Sequence, residues 1–164
     1  MKKITLILLC AVFMSISAYA QSVPAAQVPG VVKKTLTTKY PKAQDVEWEK
    51  ESTNFKALFM NGEDWTEAMF TAAGVWTTTN VSLDPEKMPA VLAAIVKKAN
   101  PGLEISLVNR IDSAKGAPTY EIQLDSEDAS YIAIYKADGT LVSKKQIEEE
   151  SYDDEGTDVY DEDY

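Results

Sequence analysis

Between Val28 and Tyr40 the apolar residues fall at helical spacing: Val28, Val31, Val32 and Leu36 share one face, with Lys33, Lys34, Thr37 and Thr38 opposite. Sixty positions on, Met88, Val91, Leu92, Ile95, Val96 and Ala99 repeat the pattern. Pro29 and Pro89 stand where a first helical turn tolerates proline, and Pro41 and Pro101 follow where each helix must stop. A stripe that is apolar in front and polar behind predicts a surface helix packed on a sheet. The period then switches to two. Val46 and Trp48 alternate with Glu47 and Glu49, and Phe55, Ala57 and Phe59 with Lys56 and Leu58. Asn61-Gly62 is a tight-turn signal before a strand from Trp65 to Ala72, and Ala73-Gly74 leads into another from Val75 to Val81. In the second half the correspondence runs at an offset of 65, pairing Phe55 with Tyr120, Phe70 with Tyr135, Gly74 with Gly139 and Trp76 with Leu141. The extra residues lie between Val108 and Tyr120, which predicts a longer hairpin loop over Ser113–Pro118.

These patterns predict an α+β domain over residues 28–147, built from two tandem repeats, 28–83 and 84–147. Each repeat is expected to be one helix followed by about four antiparallel strands, with both helices packed on one face of a joined antiparallel sheet. The duplicated residues are prolines, helix-face apolars, turn glycines and strand aromatics, which build a scaffold. The differences fall on the strands: Trp48, Trp65 and Trp76 correspond to Val108, Ser130 and Leu141, so all three tryptophans belong to the first copy.

The chain ends read differently. Lys2 and Lys3, an apolar run from Ile4 to Ile16, and Ala18-Tyr19-Ala20 before Gln21 predict a signal peptide over residues 1–20, leaving 21–27 as a short lead. The run falls short of the ~20 residues that cross a bilayer, and no other stretch approaches that length, so no membrane span is expected. Cys10 after Leu8-Leu9 raises lipidation as an alternative, but the residue before a lipidated cysteine is normally small. The export signal places the protein in the periplasm or outside the cell. Cys10 is the only cysteine, so cleavage leaves a chain that holds together without disulfides.

Residues 148–164 carry ten carboxylates and no base, whereas the whole chain has 26 acidic and 16 basic residues. The acidic balance is therefore a property of this tail, and the part between Gln21 and Ile147 is nearly neutral. Self-repelling like charges predict a solvated, disordered tail. A calcium- or cation-responsive function is the sharper reading, with Asp153, Asp154, Glu155 and Asp158 as candidate ligands, since hard cations take clustered carboxylate oxygens. The stretch lacks the alternating ligand spacing of an EF-hand loop.

With no histidine in the chain and no cysteine beyond the signal, the usual acyl-transfer bases, thiol nucleophiles and zinc ligands are missing together. There is no Gly-x-Ser-x-Gly elbow, Ser-x-x-Lys pair or glycine-rich phosphate loop. Glu47, Glu49 and Glu67 are carboxylates that could serve a glycosidase, but acids alternating with apolars along a strand are usually its wet face. The chain reads as a non-enzyme. Dispersed bases and an acidic tail argue against nucleic acid as a partner.

Val28-Pro29, Lys39-Tyr40-Pro41-Lys42-Ala43, Val46-Glu47-Trp48-Glu49, Phe70 and Gly74-Val75-Trp76, in this order and doubled, resemble the PepSY-like family of exported bacterial proteins. The second copy departs from that pattern, with Asn100 for the tyrosine and Val108 for the tryptophan. The resemblance implies a fold related to that of beta-lactamase inhibitory protein, a periplasmic or surface location, and binding or restraint of other proteins. It carries no cofactor and no catalytic residues. If Val46, Trp48, Phe55, Ala57, Phe59, Ala68 and Phe70 face the helices, the other sheet face presents Leu58, Trp65, Glu67 and Met69, joined by Ile132 and Ile134. An aromatic anchor among apolars with a charged surround has the composition of a binding patch for a protein or peptide.

Overall fold

The computed structural model describes residues 21–147. Two ten-residue helices, α1 (Gly30–Lys39) and α2 (Ala90–Ala99), accompany nine strands: β1 (Gln21–Ser22), β2 (Ala43–Glu51), β3 (Asn54–Asn61), β4 (Asp64–Thr71), β5 (Trp76–Leu83), β6 (Glu104–Ser113), β7 (Gly116–Asp125), β8 (Ser130–Lys136) and β9 (Leu141–Ile147). The strands form one antiparallel sheet in which spatial order equals chain order, β1 to β9.

This corrects the expected α+β class. The described chain is mostly one nine-stranded sheet, hydrogen-bonded without a break from β5 to β6, and the helices are short covers on it. Periodicity overstated them. Val28 and Met88 precede the helices, each held extended by the proline that follows, so α1 and α2 begin only at Gly30 and Ala90. Val32 and Leu36, and Leu92 and Val96, are the helical residues that bury, while Val31 and Val91 point to solvent. The additional edge strand, β1, has no apolar alternation to reveal it. It pairs through backbone with Glu49 and Lys50 of β2, and the Val23 N–H donates to the Trp48 carbonyl at 2.9 Å. The loop expected over Ser113–Pro118 is also corrected: Ser113 pairs with Gly116, so the inserted residues lengthen β6 and β7 around a two-residue turn. Pro118 is tolerated in β7 because pairing with β8 starts only at Thr119.

Register places Phe59, Thr66, Val81, Arg110, Tyr120 and Tyr135 in one row across the sheet, so both helices cover the same face. Two apolar clusters lie beneath them. Val28, Val32 and Leu36 pack on Trp48, Phe55, Ala57, Phe59, Ala68 and Phe70. Met88, Leu92 and Val96 pack on Val108, Tyr120, Ile122, Leu124, Ala133 and Tyr135. Between the clusters this face turns polar at Thr79, Arg110 and Asp112.

The residue ending each helix reaches into the sheet. The Tyr40 hydroxyl bonds Thr79, which also accepts the Trp76 indole N–H at 2.8 Å. After α2, Asn100 donates to the Val96 carbonyl at 2.8 Å and the Tyr135 hydroxyl at 3.1 Å, and accepts from Lys144 at 2.8 Å. Burial raises Tyr40 above the ordinary tyrosine value, against the smaller opposing pull of the Thr79 hydrogen bond. An unfolded tyrosine ionises near pH 10, so this contribution is complete below that pH and fades as pH rises through the higher folded value. We expect urea midpoints to fall between pH 9.5 and 11, and Tyr40→Phe to be about 1 kcal/mol less stable at pH 7 but to show a shallower alkaline decline. An unchanged slope would contradict this origin.

Candidate functional site

Among the described residues nothing covers the face opposite the helices. It is assembled from every second residue of each strand: Glu47, Glu49 and Glu51 on β2; Lys56, Leu58 and Met60 on β3; Trp65, Glu67 and Met69 on β4. Pairing puts Leu58 between Glu47 and Glu67, Lys56 between Glu49 and Met69, and Met60 beside Trp65. Trp65 is 41% exposed. Leu58, Glu67 and Met69 are half-buried, and Glu47 is exposed.

Ile132 and Ile134 occupy the same face on β8, opposite Gln123 and Glu121 of β7. Four strand steps separate β8 from β4, roughly 19 Å at the usual strand spacing, so the structure does not bring them together with Trp65. They sit instead near Leu107, which is 41% exposed and opposite Gln123. Met60 and Leu107 were not among the expected patch residues, although alternation along β3 suffices to place Met60 on this face. Leu107 was not readable, because a register shift between Ile105 and Leu107 resets the faces of β6.

One cation organises the acids near β2. Lys56 Nζ lies 2.7 Å from Glu49 and 2.9 Å from Glu51. Partial burial pulls the ammonium down, but the hydrogen bonds and charges of the two glutamates outweigh it and hold Lys56 above the ordinary lysine value. Glu49 is thereby committed to an ion pair. Among the described residues, Glu47 and Glu67 have no basic partner.

A second concentration of acids stands at the far end, where Glu104 pairs directly with Asp125 and the following loop adds Glu127 and Asp128 around a shallow depression. Hydrogen bonds from Ser106 and Ser130 hold Asp125 below the usual carboxylate range. Among the described residues no group of three or more potential ligands is placed to hold a metal ion. The candidate calcium ligands Asp153, Asp154, Glu155 and Asp158, like the expected signal peptide over 1–20 and the rest of 148–164, lie outside the described residues. No helix among the described residues is long and apolar enough to cross a membrane.

The family profile described as "Putative beta-lactamase-inhibitor-like, PepSY-like" matches the chain twice, over residues 12–57 and 53–142. The chain belongs to the PepSY-like family. No curated protein matches it. Solved structures of similar fold include proteins from Bacteroides species. A DUF2874 family protein from Bacteroides ovatus is 21% identical with a TM-score of 0.66, covering 80% of this chain and 96% of that one. A BLIP-like protein from Bacteroides fragilis is 16% identical with a TM-score of 0.67, covering 76% and 88%. A protein from Bacteroides eggerthii described among "putative periplasmic proteins" is 18% identical with a TM-score of 0.66, covering 73% and 89%. At these identities the likeness is one of fold.

Proposed function

We propose that this PepSY-like protein is an exported, non-enzymatic binding module that engages a protein or peptide partner through its helix-free sheet face and restrains it. The carrying observation is the uncovered face itself, with Trp65 exposed among Leu58, Met60 and Met69 and a surround of carboxylates. An amphipathic aromatic beside aliphatics and a charged rim matches the anatomy of protein interfaces. Membership of a beta-lactamase-inhibitor-like family and the fold shared with a BLIP-like protein support a binding role. A periplasmic destination is supported by the description of the Bacteroides eggerthii relative and by the leader-like residues 1–20.

A photo-crosslinking residue placed at position 65 tests this in periplasmic extract, with position 91 on the solvent side of α2 as the control. Val91 is 71% exposed, so both probes are accessible. We expect a discrete protein adduct from position 65 and none from 91. Adducts equal at both positions, or from 91 alone, would place the interface elsewhere.

A further inference from the structure

The acids on the first half of the open face are not all used alike. Lys56 lies on β3 with Glu49 opposite it on β2, and holds both Glu49 and Glu51. Two residues along β3 an aliphatic stands at the centre instead: Leu58 has Glu47 opposite on β2 and, where Lys56 has Met69, it has Glu67 opposite on β4. Neighbouring strands are about 4.8 Å apart, so the two glutamate backbones are roughly 10 Å apart across Leu58. Long carboxylate side chains can converge over that gap. Level with Glu67 on β5, Asn80 Oδ1 is a buried acceptor with no donor among the described residues, which adds to the acceptor excess of the row. Diagonal to Leu58 on the same face stands Trp65.

Granting the sheet-face reading above, we infer that Glu47 and Glu67, over a floor of Leu58 and beside Trp65, form a seat for a cationic side chain, so the partner is a protein segment presenting arginine among apolar residues. The stem would lie on Leu58, the charge would meet two carboxylates that have no basic partner among the described residues, and the cation would adjoin the indole face. Arginine suits this better than lysine. Its planar guanidinium serves two separated carboxylates and stacks on an aromatic at once, whereas an ammonium is a compact and more strongly hydrated point charge. Position 56 shows that this sheet surface accommodates a cation held by two glutamates of β2; at position 58 the chain leaves the cation to the partner.

The probe is an eight-residue peptide alternating Arg and Leu, titrated into the full mature chain and followed residue by residue by NMR. Lys-Leu and Glu-Leu peptides serve as comparisons. We expect shifts centred on Leu58, Glu67 and the Trp65 indole, tighter binding for Arg than Lys, and none for Glu. The double variant Glu47→Gln/Glu67→Gln should weaken Arg-Leu binding at least tenfold, whereas Glu121→Gln on the distant half of the face should leave it unchanged. Shifts confined to the acidic residues 148–164, or an affinity indifferent to the double variant, would overturn the seat. Crosslinking from position 65 in the double variant separates the two ideas. A retained adduct where the Arg-Leu peptide fails to bind even the wild-type chain removes the cation seat and keeps the sheet interface; no adduct in either background removes both.

Discussion

Phe59→Ala should destabilise the protein by about 3–5 kcal/mol, read as a lower urea midpoint with an unchanged slope. Phe59 is fully buried on β3, in the cluster that α1 covers, with its ring centroid 5.0 Å from that of Tyr40. Truncation removes the largest apolar group at that point, leaves a cavity between sheet and helix, and strips Tyr40 of its aromatic neighbour. Tyr40 is also the residue that ties the end of α1 to β5 through Thr79, so the wall most exposed to collapse is one the helix depends on. A loss below about 1 kcal/mol would mean that α1 settles into the space.

The second large effect is expected at the turn between β4 and β5. Gly74 has φ +80°, and a Cβ there would meet the Val31 carbonyl oxygen at 3.0 Å. Its own carbonyl accepts the Thr35 hydroxyl at 2.8 Å, so the turn is the ledge on which α1 rests. Gly74→Val combines left-handed strain with a collision against backbone, and we expect a loss of about 2–3 kcal/mol. Gly62→Ala isolates the strain. At φ +75° with nothing within 4 Å of the added carbon, it should cost only about 1 kcal/mol. Thermal melts of the two variants beside wild type check the difference; equal losses would show that the approach of Val31 carries no weight.

Much of the sheet was legible because the signals were local. Alternation along Phe55-Ala57-Phe59 and the Asn61-Gly62 turn correspond to β3 and its hairpin with β4, where Gly62 takes positive φ. What failed had no local signal. Gln21–Ser22 becomes a strand only because β2 has a free edge beside it. Val31 and Val91 satisfy helical periodicity but face solvent, since each ten-residue helix buries only a narrow seam. The class was misjudged for the same reason: apolar period counts candidate helices, but not how little of the architecture they make up beside strands of seven to ten residues. At the candidate site, the faces of β3 and β4 follow from alternation. The distance from Trp65 to Ile134 does not, because it depends on the strand order of the whole sheet.

That strand order has a kinetic meaning. Each strand pairs with the one before it in the chain, so no contact of the ladder waits for a distant segment. The long excursions between paired neighbours are the two stretches holding the helices, α1 between β1 and β2 and α2 between β5 and β6. Folding rate falls as partners lie further apart in sequence, and a meander keeps them close. A chain delivered end first, one segment at a time, can add each new strand to an edge already waiting for it, and the sheet grows at the pace of arrival instead of after the last residue is through.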